Sequence, residues 1–305
     1  MKNRRPSVLL TVIALTGAIG TNTFAQQLQV KPIGDSEAAK LLTEARQASQ
    51  AHEYAQAARA YEAAMKAGAG GRVVPYNAAC CYALAGQADD AFRCLERAVG
   101  AGWRDVEHLK SDSDLDSLHA DARWSGIVKI TQEAADKFTK SLKEPELRKE
   151  LLKRVREDQR VRTDEKTTVE EWKRVDAENT AYMKSVIEKY GWPGFEAVGE
   201  DGAQAVFLMI QHADADPEFQ NRCLVLLKKA VEKKDAPAGH MAYLTDRVLV
   251  AAGKPQLYGS QFFTENGELK PRPIEDEVNV DKRRAEVGLP PLDEYAAQMR
   301  GGGKK

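Results

Sequence analysis

The segment Tyr76-Asn77-Ala78-Ala79-Cys80-Cys81-Tyr82-Ala83-Leu84-Ala85-Gly86, followed by Asp89-Asp90-Ala91-Phe92, decides the fold. It reads as one helix, a glycine turn and the start of a second helix. Ala79 and Ala91 are small enough to let two antiparallel helices approach closely, while Tyr82 and Leu95 fill the groove beside them. The same pattern stands earlier in the chain. Ala45, Ala48, Ala57, Tyr61 and Ala64 recur as Ala79, Tyr82, Ala91, Leu95 and Ala98, each pair 34 residues apart. The earlier copy, Leu41 to Gly68, carries His52-Glu53 where a turn glycine is expected, which weakens that turn signal and leaves the rest of the match intact.

A 34-residue period of helix pairs resembles the tetratricopeptide repeat (TPR). Two such repeats rarely close a core, and about three are usually needed. The run Trp103 to Phe138, with Leu109, Leu115, Leu118, Trp124, Ile127 and Val128, reads as a degenerate third unit closing the array, with a helix start at Asp121-Ala122-Arg123-Trp124. The resemblance implies a partner protein or peptide in the concave groove, although a groove this short could equally dock the rest of the chain.

Working outward, Lys2, Arg4 and Arg5 precede an apolar run from Val8 to Gly20, and Thr23-Phe24-Ala25 places small residues before Gln26. That is the layout of a secretory signal peptide, residues 1–25, so a periplasmic or secreted protein is expected. The run is too short to span a bilayer, and no stable membrane insertion is expected after cleavage. The 305 residues hold 45 basic and 46 acidic side chains, a net charge of -1, which argues against a nucleic-acid partner. Four cysteines, Cys80, Cys81, Cys94 and Cys223, are sparse for a disulfide-built scaffold. They form no C-x-x-C and stand with no His at zinc-finger spacing, so no metal site and no cofactor are expected.

Beyond the array (36–140), residues 141–167 read as a charged helical connector: 22 of the 36 residues from 143 to 178 are charged, 11 of each sign. A helical domain follows over 168–300. Val169, Trp172, Val175, Tyr182, Met183, Val186 and Ile187 line one helix, stopped at Gly191-Trp192-Pro193-Gly194. Ala203, Val206, Phe207 and Ile210 line a second. Asp216-Pro217 caps a third, and Pro237 opens a fourth that ends at Gly253. Asn266-Gly267 then predicts a hairpin turn between strands at Gln256 to Phe263 and Glu268 to Ile274, two short helices close the domain, and 301–305 form a frayed tail. The fold expected is mainly α: a helical-hairpin array, then an antiparallel helical domain with one small β-hairpin.

The polar motifs of this second domain are Trp192-Pro193, Gln211-His212-Ala213-Asp214-Ala215-Asp216, Tyr243-Leu244-Thr245-Asp246-Arg247, Gln256-Leu257-Tyr258-Gly259-Ser260-Gln261, Pro273-Ile274-Glu275-Asp276 and Val280-Asp281-Lys282-Arg283-Arg284. Over about residues 146 to 298 they resemble, in order, a bacterial domain of unknown function numbered 6624. Ser260 stands where that pattern more often has Thr. The resemblance implies a domain boundary and brings no activity with it.

Antiparallel helices should gather His212, Asp214, Asp246, Arg247, Gln256, Tyr258 and Gln261 at one end of the bundle. A His, carboxylates, a guanidinium and a Tyr there could bind a polar ligand or do acid–base chemistry in a hydrolase-like enzyme. They could also form a structural network, Arg247 pairing with Asp214 or Asp276 and His212 with a helix-terminal carbonyl. No nucleophile stands beside a base in a recognisable arrangement, which favours the structural alternative. His240 starts the fourth helix, one helix length from His212, and so is not placed to share a metal with it.

Overall fold

A computed structural model describes residues 36–301, so the signal peptide expected at 1–25 and residues 302–305 of the expected tail lie outside the described residues. The chain divides into two compact units that meet in sequence at Ser141 and Leu142.

In the first unit, α1 (Glu37–Gln50) and α2 (Tyr54–Lys66) form one helix pair, and α3 (Val73–Leu84) and α4 (Ala88–Gly100) the next. The repetition extends from residue type to hydrogen-bonding. Ala45, Ala57, Ala64, Ala79, Ala91 and Ala98 all have zero exposure, because each lies where two helices touch. The turn inside the first pair bonds His52 N–H to Ser49 C=O and Glu53 N–H to Ala48 C=O. Thirty-four residues on, Gly86 N–H meets Ala83 C=O and Gln87 N–H meets Tyr82 C=O. His52 therefore takes the left-handed conformation that Gly86 takes, φ 61° against 72°. Its ring nitrogen Nδ1 lies 2.6 Å from the Tyr54 hydroxyl, a contact that helps hold the strained residue.

The region expected as a degenerate third repeat departs from the 34-residue spacing: Ser113, Ser125 and Gln132, one period after Ala79, Ala91 and Ala98, are exposed, and its first helix is broken. α5 (Val106–Ser111) stops at Asp112, a 3-10 turn runs over Ser113–Leu118, and α6 (Trp124–Ser141) supplies the second helix. Asp112 ends one segment and starts the next, its carboxylate accepting from Asp114 N–H at 3.1 Å. The broken segment covers α3, where nine residues between Val74 and Ala83 are buried. Tyr76 stacks on Trp103 at 3.7 Å.

Within the charged helical connector expected at 141–167, residues 145–163 form α7 (Pro145–Thr163), which buries Leu147, Leu151, Asp158 and Val161 along one stripe and so belongs to the second unit. Charge dominates its composition because the other faces are solvated; the buried stripe is narrow and includes an aspartate. α8 (Val169–Tyr190), α9 (Phe195–Gln211), α10 (Pro217–Glu232) and α11 (Ala238–Ala251) follow. Gly199, at φ 74°, kinks α9. Asp216 caps α10, accepting from Phe219 N–H at 2.9 Å.

The hairpin is shorter than expected: β1 (Phe262–Glu265) pairs with β2 (Glu268–Pro271) around Asn266 and Gly267, both at positive φ. Residues 256–261 are a loop and not a strand, because side chains rather than a neighbouring strand satisfy most of their backbone. α12 (Val280–Glu286) and α13 (Leu292–Gly301) close the unit. Among the described residues no helix is long and apolar enough to cross a membrane, and all four cysteines are buried free thiols.

His52→Gly should raise the stability of the first unit by about 1 kcal/mol, the left-handed penalty of a residue with a Cβ. Gly86→Ala should lower it by a similar amount. Urea unfolding followed by far-UV circular dichroism measures both, and a destabilised His52→Gly would mean that the His52–Tyr54 contact outweighs the strain.

Candidate functional site

The expected residues separate into three polar networks, each anchored on a carboxylate. Asp246, on the inner face of α11, has no exposure. Its carboxylate accepts backbone N–H bonds from Leu257 at 2.7 Å, Tyr258 at 2.9 Å and Ser260 at 2.9 Å. Burial raises its pKa, and the three amides partly offset that rise by favouring the charged form.

The same loop is held through its carbonyls. Arg283 Nε donates to Leu257 C=O at 2.8 Å, and Arg284 donates to Tyr258 C=O and Pro290 C=O. Gln256 closes the loop on itself: its amide nitrogen donates to Gln261 and Arg272 carbonyls at 2.9 Å, and its oxygen accepts from Gln261 N–H at 2.8 Å. The Gln261 side chain donates to Ser260 Oγ at 3.0 Å. Gly259, at φ 68°, leaves no room for a Cβ, which would stand 2.8 Å from a Leu292 methyl. Gln-Leu-Tyr-Gly-Ser-Gln is thus a loop whose backbone is held by Asp246 on one side and Arg283-Arg284 on the other. The side chain of Tyr258 stays half-buried.

The second network joins Arg247 to Asp214, with Nη1 to carboxylate distances of 2.6 and 2.7 Å. Gln220 adds a bond to Asp214 at 3.3 Å and caps the end of α9 through the Ile210 and Gln211 carbonyls. Of the two partners expected for Arg247, Asp214 is realised; Asp276 pairs with Arg283.

The third network holds His212, which meets a carboxylate rather than the helix-terminal carbonyl expected. Its Nδ1 lies 3.0 Å from Asp158 of α7. Arg162 bridges Asp158 at 2.8 Å and Asp176 at 2.5 Å. Burial pushes Asp158 upward, but His212 and Arg162 outweigh it and hold the carboxyl below its ordinary range. Asp176 is left raised, with burial the largest cause.

Sequence reasoning missed Asp158, Arg162 and Arg284. The available signal was Asp158 seven residues after Leu151 on one helical stripe, a carboxylate at an apolar position. His240 is buried against Phe207, the rings stacked at 4.0 Å, and burial drives its pKa down to about 3. It is a neutral packing group held apart from these networks.

A protein-family model matches residues 145–302, under the description family of unknown function (DUF6624). The chain belongs to that family. The matched region starts with α7, in agreement with a helical domain that takes in residues 145–163. Over 62 residues the chain is 32% identical to a chloroplastic protein of Arabidopsis thaliana, an alignment that covers 20% of this chain and 18% of that protein. No solved structure matches.

Because Arg162 is buried, Asp158→Ala should cost about 3–5 kcal/mol. Arg247→Ala, breaking a partly exposed pair, should cost about 1 kcal/mol. Thermal and urea unfolding of the two variants should separate them clearly. The pH dependence has a fixed sign. Asp158 has a depressed folded pKa, so its contribution is present above the unfolded carboxylate range and lost as pH falls through the folded value. Asp246 and Asp176, raised by burial, run the other way. The stability difference between wild type and Asp158→Asn should therefore shrink on acidification, and a constant difference down to about pH 3 would contradict this assignment.

Proposed function

We propose that this protein is an exported protein–protein adaptor. Its TPR-like array holds a segment of a partner, and its DUF6624 domain is a rigid module whose polar motifs hold one another. The observation that carries this reading is the 34-residue repetition, which runs through buried alanines, turn conformation and turn hydrogen bonds alike. Stacked helix pairs of this kind supply extended binding surfaces. α3 is covered by its neighbours, so the partner surface is α1, where Thr43, Arg46, Gln47 and Gln50 are exposed.

The alternative, a ligand-binding or hydrolase-like domain using His212, Asp214, Asp246, Arg247 and Tyr258, is supported less well. His212, Asp214, Asp246 and Arg247 are each engaged in a bond that holds two segments together, and Cys223 is a buried thiol pushed up to about 12 by burial. The periplasmic or secreted address rests on the sequence of residues 1–25.

Two measurements test the reading. Mass spectrometry of protein made in a Gram-negative host should find Gln26 as the amino terminus in the periplasmic fraction; intact Met1 in the cytoplasm would overturn the address. A photo-cross-linker at Gln47 should trap a defined partner in envelope extract. Arg46→Glu in the same chain should abolish that product, whereas a cross-linker at the exposed Val225 should yield none. A product unchanged by Arg46→Glu would remove α1 as the partner surface.

A further inference from the structure

The break between α5 and the 3-10 turn that follows it gathers a donor set that linear spacing conceals. Cys80 Sγ and carboxylate oxygens of Asp112 and Asp114 all lie within 4.8 Å of one another. His108 Nε2 stands 3.5 Å from Asp112 Oδ2, and Cys80 Sγ stands 3.6 Å from the same oxygen. We propose that Cys80, Asp112 and Asp114, whose ligand atoms already converge, form a zinc site that staples the broken helical segment to α3, with His108, beside Asp112, turning in as the fourth donor.

Three observations carry this. First, ligand atoms about 2.0–2.3 Å from a tetrahedral zinc stand roughly 3.3–3.7 Å from one another, the separation that His108 and Cys80 keep from Asp112. Second, His108 Nε2 is fully buried and has no hydrogen-bond partner, although it faces a carboxylate. An imidazole nitrogen left so costs free energy that a metal bond would recover.

Third, two carboxylates and a thiol share a half-buried space. Cys80 is buried, and the Asp112 and Asp114 carboxylates stand close enough to repel one another, a repulsion that a divalent cation relieves. Thiol and imidazole donors select zinc over calcium or magnesium, which take oxygen ligands.

The surroundings suit a fixed site. The Tyr76 hydroxyl donates to Asp112 Oδ2 at 2.9 Å, and Asp114 N–H holds the other carboxylate oxygen. His108 packs against the Tyr76 and Trp103 rings, with centroids at 5.4 and 5.5 Å. As the sulfur–zinc bond forms, the S–H bond breaks and its proton passes to solvent.

The test uses the untagged, reduced full-length chain, stripped with chelator and desalted. With zinc chloride alone, calorimetry should give one site per chain, and plasma mass spectrometry should recover one zinc after desalting. Cobalt(II) in its place should show a thiolate charge-transfer band in the near ultraviolet and tetrahedral d–d bands in the visible. Cys80→Ser should abolish the charge-transfer band. Asp114→Asn, a half-exposed position whose change leaves the packing of α3 untouched, should weaken zinc binding at least tenfold while circular dichroism stays unchanged. Failure of the wild-type chain to retain zinc would overturn the site. So would zinc binding that is unaffected by Asp114→Asn, or a cobalt complex with no sulfur band.

Discussion

Asp246 imposes the constraint from which much of the DUF6624 domain follows. A carboxylate with no access to water must be neutralised, paired or surrounded by donors. Here the donors are three backbone amides of a loop eleven to fourteen residues away, and that solution fixes the loop's path. A loop folded around an anion turns carbonyls outward, and these need donors in turn. Arg283 and Arg284, from α12, supply them. One buried charge thereby ties α11, the 256–261 loop and the carboxyl-terminal helices into a single arrangement, with Gln256 sewing the loop to the edge of the hairpin.

This dependence accounts for the concentration of polar motifs in the domain. Adjacent Asp246 and Arg247 belong to one expected cluster, yet they point to different partners: the aspartate inward to the loop amides, the arginine to Asp214 on the α9–α10 connection. His212 and Asp214 likewise stand two residues apart and serve separate networks. Proximity along a chain brings functional groups into one neighbourhood, and helix geometry then distributes them to different faces.

The helices were legible in the sequence because their signals are local. Asp216-Pro217 caps α10, Gly191 ends α8, and Asn266-Gly267 turns the hairpin, each through backbone chemistry confined to a few residues. The 34-residue period was legible for the same reason, and His52 shows its strength: the repeat imposes a left-handed turn even where glycine is missing. What stayed hidden depends on partners distant in sequence. Asp158 reads as one more charge in a charged run until His212, 54 residues later, is placed beside it. The loop at 256–261 reads as a strand because its β-forming residues carry no mark of an aspartate that will capture their amides. Cys80 and Asp112 are separated by 32 residues and meet only because the helix between them breaks.

That break sets the two units apart in how they manage buried charge. In the DUF6624 domain each fully buried carboxylate has protein donors arranged around it. In the array, Asp112 has one hydroxyl, one amide, a thiol and an imidazole nitrogen too distant to donate well. The position 34 residues earlier is Ala78, inside the unbroken α3. At Asp112 the helix stops and the backbone turns extended. The interruption also aims a carboxylate at Tyr76 and Cys80, which no continuous helix would do. A cation held at that point would cross-link the broken helical segment to α3.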